Sequence, residues 1–212
     1  MKFAEFKKRL TIKNIIMLIG GIFMINMGIA FSIKANLGTA AVSSLPFVLS
    51  NFTKLTVGNW TIIVQSFAVL LQIIILKKDY NPINLCQIIV AFLFGYCTDF
   101  CIWLVDGINC TTYLSRWLID LSGMVLLGIG VAFEVEANIV MVAIEGLAYT
   151  LSTKYNKAFG NMKSLIDICI VSSACIFSLV FLGKIVGVRE GTVVAAILVG
   201  QIAKIVKKLL FK

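Results

Sequence analysis

The 212-residue chain contains no histidine, and that absence removes a good deal of chemistry. Imidazole is the commonest protein ligand for zinc, copper and haem iron, and the commonest general base near neutral pH. The six cysteines, Cys86, Cys97, Cys101, Cys110, Cys169 and Cys175, form no CxxC pair, and all but Cys110 fall within apolar runs. They read as small apolar fillers, so neither a metal site nor a cofactor is expected. P-loop, HExxH and GxSxG patterns are also missing, which argues against an enzyme. With two prolines and scattered glycines, there is no room for a flexible linker or a low-complexity tail. One membrane domain over residues 1–212 is expected. Charge is scarce as well, at 14% of residues, with 10 acidic against 19 basic side chains.

What remains is apolar. Sixty per cent hydrophobic residues and a mean hydropathy of +1.01 exclude an ordinary soluble domain. A net charge of +9 would suit nucleic acid in a soluble protein. Here the basic residues sit at the ends of apolar runs, where they set orientation and meet anionic lipid head groups. The expected partner is therefore a lipid bilayer and not nucleic acid. The basic N-terminal stretch precedes an apolar run from Ile15 to Ile33, longer than the ~7–15 residues of a signal-peptide core. That run is expected to stay in the mature protein.

Six segments are long enough to cross a ~30 Å hydrocarbon core: Asn14–Lys34, Trp60–Leu76, Ile83–Val105, Tyr113–Val135, Met162–Leu182 and Gly187–Val206. The last is the weakest, because Arg189 and Glu190 occupy its first turn. Two shorter apolar pieces, Thr39–Phe52 and Val140–Thr153, would reach only ~21 Å as helices. Lys2, Lys7, Lys8, Arg9 and Lys13 place the N-terminus in the cytoplasm. Lys77 and Lys78, then Lys154, Lys157 and Lys163, then Lys204, Lys207, Lys208 and Lys212 fall on the same side. The loop Asp106–Thr112 has no Lys or Arg and falls outside. Lys34, Lys54, Lys184 and Arg189 are exceptions on the outer side. A multi-pass inner-membrane protein with both termini cytoplasmic is expected.

The chain also repeats itself at an offset of 102 residues, from Gly28 to Gly130. GIAFSIKAN (Gly28–Asn36) returns as GVAFEVEAN (Gly130–Asn138), and the alignment runs without a gap to Gly58-Asn59 and Gly160-Asn161. Shared Ala-Asn and Gly-Asn pairs at fixed separation are not what chance alignment of two apolar helices gives. Each unit, about 14–105 and 113–206, holds three spans. An odd number turns the second unit upside down relative to the first, an inverted repeat of the kind from which many transporters are built. The expected fold class is an all-α integral membrane protein of about six transmembrane helices in two inverted three-span repeats, each with a short half-helix.

The short pieces are amphipathic. Val42, Leu45, Leu49 and Phe52 form an apolar stripe, and Ile144, Leu147 and Leu151 repeat it. Thr39, Ser43, Ser44 and Ser50 lie opposite in one half, and Glu145, Gly146, Tyr149 and Ser152 in the other. The lack of Lys or Arg on these polar faces favours re-entrant half-helices over surface helices. Asn36 and Gly38 permit the positive φ that breaks the first span, and Thr39 can cap the helix that follows. Free N–H groups at such an N-terminus favour a polar or anionic solute. Asn36, Gly38, Thr39, Ser43, Asn138 and Glu145 are thus candidate solute-binding residues. Both asparagines serve equally well as plain helix terminators.

Acids within apolar spans cost about 2.5–3.5 kcal/mol each on insertion scales, so each needs a reason. Asp99, Glu134, Glu145 and Asp167 are of this kind. Asp167 has Gln65 as its repeat partner; the pair suits a lined cavity or proton pathway, or a structural interhelical hydrogen bond. Asp167, Glu145 and Asp99 are candidate proton carriers. Glu134 and Glu136 read as solvated, or paired with Lys154 or Lys163.

GIAFSIKANLGTAAVSSLPFVLS (Gly28–Ser50), QIIVAFLFGYCTDF (Gln87–Phe100), GVAFEVEANIVMVAIEGLAYTLS (Gly130–Ser152), FGNMKSLIDICI (Phe159–Ile170) and GVREGTVVAAILVG (Gly187–Gly200) resemble the YczE/YyaS/YitT family of bacterial membrane proteins. The matching segments cover most of the chain in order. YczE-like members often carry Pro-Trp-Asp after the Leu-Gly, where this chain has Thr39-Ala40-Ala41. The resemblance implies a multi-span bacterial inner-membrane protein and defines no substrate. The Lys-, Ile- and Asn-rich composition resembles low-GC Gram-positive bacteria.

The sequence as a whole points to a small-molecule transporter or permease with its site where the repeats meet. The alternative is a non-transporting scaffold or regulatory protein. A homodimer is compatible with either.

Overall fold

The computed structural model describes residues 8–210. Lys2, Lys7 and Lys212, which enter the orientation argument, lie outside them. Among the described residues the chain is helical, with no strand. Eight α-helices follow in order: α1 (Ile12–Ala35), α2 (Ala41–Ser50), α3 (Val57–Leu76), α4 (Cys86–Leu104), α5 (Tyr113–Ala137), α6 (Ala143–Tyr155), α7 (Phe159–Leu182) and α8 (Glu190–Leu210). Two 3-10 turns, Lys77–Asp79 and Pro82–Leu85, join α3 to α4.

Local chemistry fixes the ends. Thr11 starts α1 by accepting the Asn14 N–H, and Thr56 does the same for α3 with Asn59. Thr112 and Ser115 form a reciprocal capping box at α5. Asn36, Asn138 and Asn156 stop α1, α5 and α6 in the left-handed region, at φ 53°, 48° and 50°. Asparagine is one of the few residues that enters that region readily. Gly38 follows at φ 115°, where a side chain would be strained.

Among the described residues, five helical segments are long and apolar enough to cross a membrane, ending at Ala35, Asp79, Leu104, Ala137 and Leu182. The sixth expected span, α8, does not meet that standard: Glu190 opens it and Lys204, Lys207 and Lys208 crowd its last third. The outward surface is apolar, with Ile16, Phe67, Ile89, Trp103, Ile176 and Val180 all exposed. A surface of that kind is suited to lipid, where exposed apolar side chains carry no hydration cost. This is a multi-span membrane protein.

Glycines bring backbones together at the centre. A Cβ on Gly21 would stand 2.9 Å from the Gly130 carbonyl oxygen, and one on Gly123 would stand 2.8 Å from that of Gly28. The partner numbers fall as the α1 numbers rise, so α1 and α5 run antiparallel along this seam. Small residues at such a seam let helices touch closely where lipid gives no hydrophobic drive to associate. Around the seam, α4 packs on α1 and α8 on α5; α2 packs on α3 and α7, and α6 on α7 and α3. The hairpin of α3 and α4 is close-packed, whereas α7 and α8 barely touch.

Candidate functional site

The gap between α7 and α8 opens into a cavity of about 420 Å³ that reaches the middle of the bundle. Its apolar walls come from Ile25 on α1, Leu127 and Val131 on α5, Ile168 on α7 and Val199 on α8. The first turns of both short helices border it, through Ala41 and Val42 on one side and Val142 and Glu145 on the other. Four charged side chains reach it: Glu134, Glu145, Lys163 and Asp167. The Lys163 ammonium stands 2.6 Å from the Asp167 carboxylate, one helical turn apart on α7. The Glu134 carboxylate accepts the Val142 N–H at 3.2 Å and so sits at the N-terminus of α6. Glu145 has neither a hydrogen bond nor an ion pair among the described residues.

A second, much smaller space of about 10 Å³ lies between α1, α2, α3 and α4. Ser43, Thr61, Gln65 and Thr98 contribute its polar atoms. Gln65 is 1% exposed, and among the described residues neither its carboxamide oxygen nor its nitrogen has a hydrogen-bond partner. Val42, Phe94 and regions of both short helices border the two spaces alike.

The expected solute and proton residues are thereby divided. Glu145 and Asp167 meet at the large cavity, and Ser43 faces the small one with its hydroxyl bonded to the Ala40 carbonyl at 3.0 Å. Asn36 and Asn138 are exposed helix terminators: the Asn36 carbonyl accepts from Arg189 at 3.0 Å, and the Asn138 side chain accepts from Arg9 at 2.8 Å. Gly38 packs beneath Thr192 and Arg189. Thr39 does not cap α2: the N-cap is Ala40, which supplies no side-chain bond. The Thr39 N–H and hydroxyl both donate to the Gly187 carbonyl instead, at 2.9 and 3.2 Å, which ties the bend to the start of the α8 region. Asp99 borders neither space. It accepts from the Thr56 hydroxyl at 2.6 Å and the Gly58 N–H at 2.7 Å, where a carboxylate complements the N-terminal end of α3.

Two acids depart further from expectation. Glu134 is buried, at 6% exposure, and not solvated; of the two expected lysines it shares the cavity with Lys163 and not with Lys154. Glu136 pairs with Lys207 on α8 at 3.7 Å, while Lys154 donates to the Ile75 carbonyl at 2.7 Å. Asp120, not among the acids singled out above, is fully buried on α5 against Gly191. Asp120, Leu127 and Glu134 recur at intervals of seven on one helix, so the inward face of α5 carries both acids. That spacing is a usable signal.

The model of a family of unknown function, DUF6198, matches residues 12–208. The chain belongs to this family. It is also 30% identical over 128 residues to the uncharacterized protein YyaS of Bacillus subtilis strain 168. That match covers 60% of this chain and 62% of the relative, so the chain spans less than two thirds of the length of YyaS. No solved structure matches. Membership in this family agrees with the resemblance drawn from the motifs, and assigns no activity.

Proposed function

We propose that the chain is a small-molecule permease of the bacterial inner membrane, built from two inverted halves with its solute site in the cavity between them. The observation that carries this reading is the correspondence of the two spaces. Glu145, Lys163 and Asp167 border the large cavity; 102 residues earlier, Ser43, Thr61 and Gln65 border the small one. One opening is wide and its counterpart is shut, as alternating access through two related halves requires.

Helix packing supports the same reading. Exchanging the halves turns the α1–α4 contact into α5–α8, α2–α3 into α6–α7, and α2–α7 into α6–α3. The antiparallel α1–α5 seam suits inversion, because these are the first helices of the two halves. The largest departure is the closed α3–α4 hairpin against the parted α7 and α8, and the cavity opens at that departure. The short helices fit re-entrant elements: the first turn of α6 borders the small space beside Gln65, and its last-turn Lys154 reaches Ile75 near the end of α3.

Aqueous access to the cavity is the test. Ser164 is exposed and borders it. In a cysteine-free background, Ser164→Cys should react with a membrane-impermeant maleimide from one face of the membrane. Complete protection from both faces would leave a membrane scaffold that holds a partner.

A further inference from the structure

We infer that the solute accepted by the large cavity is a monovalent organic cation, an ammonium carried on an apolar body, with Glu145 as its counter-charge. This rests on the cavity being a solute site and names the class of solute. Three carboxylates, Glu134, Glu145 and Asp167, face one ammonium, Lys163. Lys163 and Asp167 satisfy one another at 2.6 Å. Glu134 is held by the Val142 N–H. A helix N-terminus is where an anionic solute would otherwise bind, and at α6 the protein's own carboxylate already occupies it. That leaves Glu145 facing the cavity with no hydrogen bond or ion pair among the described residues, sharing the field of a single ammonium, Lys163, that Asp167 already holds.

The surroundings favour the same sign. An anion would meet a surplus of carboxylate in a medium that screens charge poorly. A bare metal ion is poorly served too: among the described residues no cluster of three cysteine or carboxylate ligands exists to replace its water shell. Ile25, Leu127, Val131, Ile168 and Val199 provide apolar wall that rewards burial of a hydrocarbon body.

Two probes with the same benzyl body and a tetrahedral head of opposite charge test this: benzyltrimethylammonium and phenylmethanesulfonate, each titrated calorimetrically against the purified full-length protein in detergent. The ammonium should bind and raise the unfolding temperature, while the sulfonate does neither at equal concentration. Glu145→Gln should weaken ammonium binding by about tenfold or more, which is a loss of about 1.4 kcal/mol. Asp106→Asn, at the surface pair with Lys34, should leave it unchanged. Sulfonate binding as tight as the ammonium, no binding of either ion, or a Glu145→Gln protein that binds like the parent would each overturn the inference. The comparison of probes needs only the unmodified chain, so a poorly folded variant does not rescue it. If Ser164→Cys is labelled and the ammonium does not bind, the permease reading survives and the charge assignment falls. If neither occurs, both fall.

Discussion

Gly95 meets Gly58 backbone to backbone where α4 passes α3: a Cβ on Gly95 would stand 2.6 Å from the Gly58 carbonyl oxygen. On the proposed repeat the positions 102 residues on are Ile197 and Gly160, and a Cβ on Gly160 would have nothing within 4 Å. The α3–α4 pair is thus shut, while α7 and α8 are parted. Asp99 holds the shut side from below, through Thr56 and Gly58 at the start of α3. Closure here depends on residues too small to keep the helices apart.

Alanine at the two glycine positions should therefore act in opposite directions. Gly95→Ala forces a methyl group into the α3 backbone and should cost about 1–3 kcal/mol, in the range of overpacked interiors. Gly160→Ala meets open space and should be neutral or stabilise by up to about 1 kcal/mol. Thermal unfolding of the two proteins in detergent orders them. A Gly95→Ala protein that unfolds no earlier than Gly160→Ala would contradict the close contact.

The ion pair on α7 should be energetically coupled. Lys163→Met leaves Asp167 without its partner beside two further carboxylates, whereas Lys163→Met with Asp167→Asn removes both charges. Both side chains are about a quarter exposed, 26% and 28%, so solvent moderates the effect. A double-mutant cycle read by denaturation should give a coupling of about 0.5–1.5 kcal/mol. Additive single effects would show that the 2.6 Å contact contributes nothing measurable.

At Glu134 the acceptor matters more than the charge. Glu134→Gln keeps an oxygen for the Val142 N–H and should cost under about 1 kcal/mol. Glu134→Leu leaves that N–H orphaned in the interior and should cost about 1–3 kcal/mol. Hydrogen exchange at the first turn of α6 distinguishes them: faster exchange in Glu134→Leu only is expected. Equal exchange in both would remove Glu134 from any role in holding α6.

The helices themselves are legible in the sequence because long apolar runs and their capping residues occur together. Tyr113 and Leu182 bound expected spans and bound helices in the structure, and Asn36 takes the left-handed turn its position demands. The chemistry of the site is less legible because it depends on rotation about helix axes. Glu134 and Glu136 are two residues apart in sequence, yet one faces the cavity and the other faces Lys207. Thr39 is a cap by residue type, but α2 begins one residue later, with Ala40 at the N-cap, and the Thr39 hydroxyl donates to the distant Gly187 carbonyl. Asp120 stands out only once it is seen to share a face with Leu127 and Glu134. Lys163 reads as an orientation signal or as a partner for Glu134 or Glu136 until the helical turn between it and Asp167 is known.

A proton-coupled permease would make Asp167 a carrier, with Glu145 second. Asp167→Asn keeps the size of the side chain and removes its charge, and the position 102 residues earlier carries the neutral Gln65. Reconstituted protein should then exchange labelled benzyltrimethylammonium across vesicles without accumulating it against a gradient. Undiminished accumulation would make Asp167 a structural partner of Lys163 alone.

Permease function requires above all that the two spaces be alternative openings of one pathway. Single-cysteine proteins test this in sealed vesicles of known orientation: Ser164→Cys beside the large cavity and Thr61→Cys beside the small one. An impermeant maleimide should reach the thiol of Ser164→Cys rapidly from one face. It should reach the thiol of Thr61→Cys slowly, and only from the opposite face. Labelling of both proteins from the same face, or no labelling of Thr61→Cys while Ser164→Cys reacts fully, would contradict alternating access.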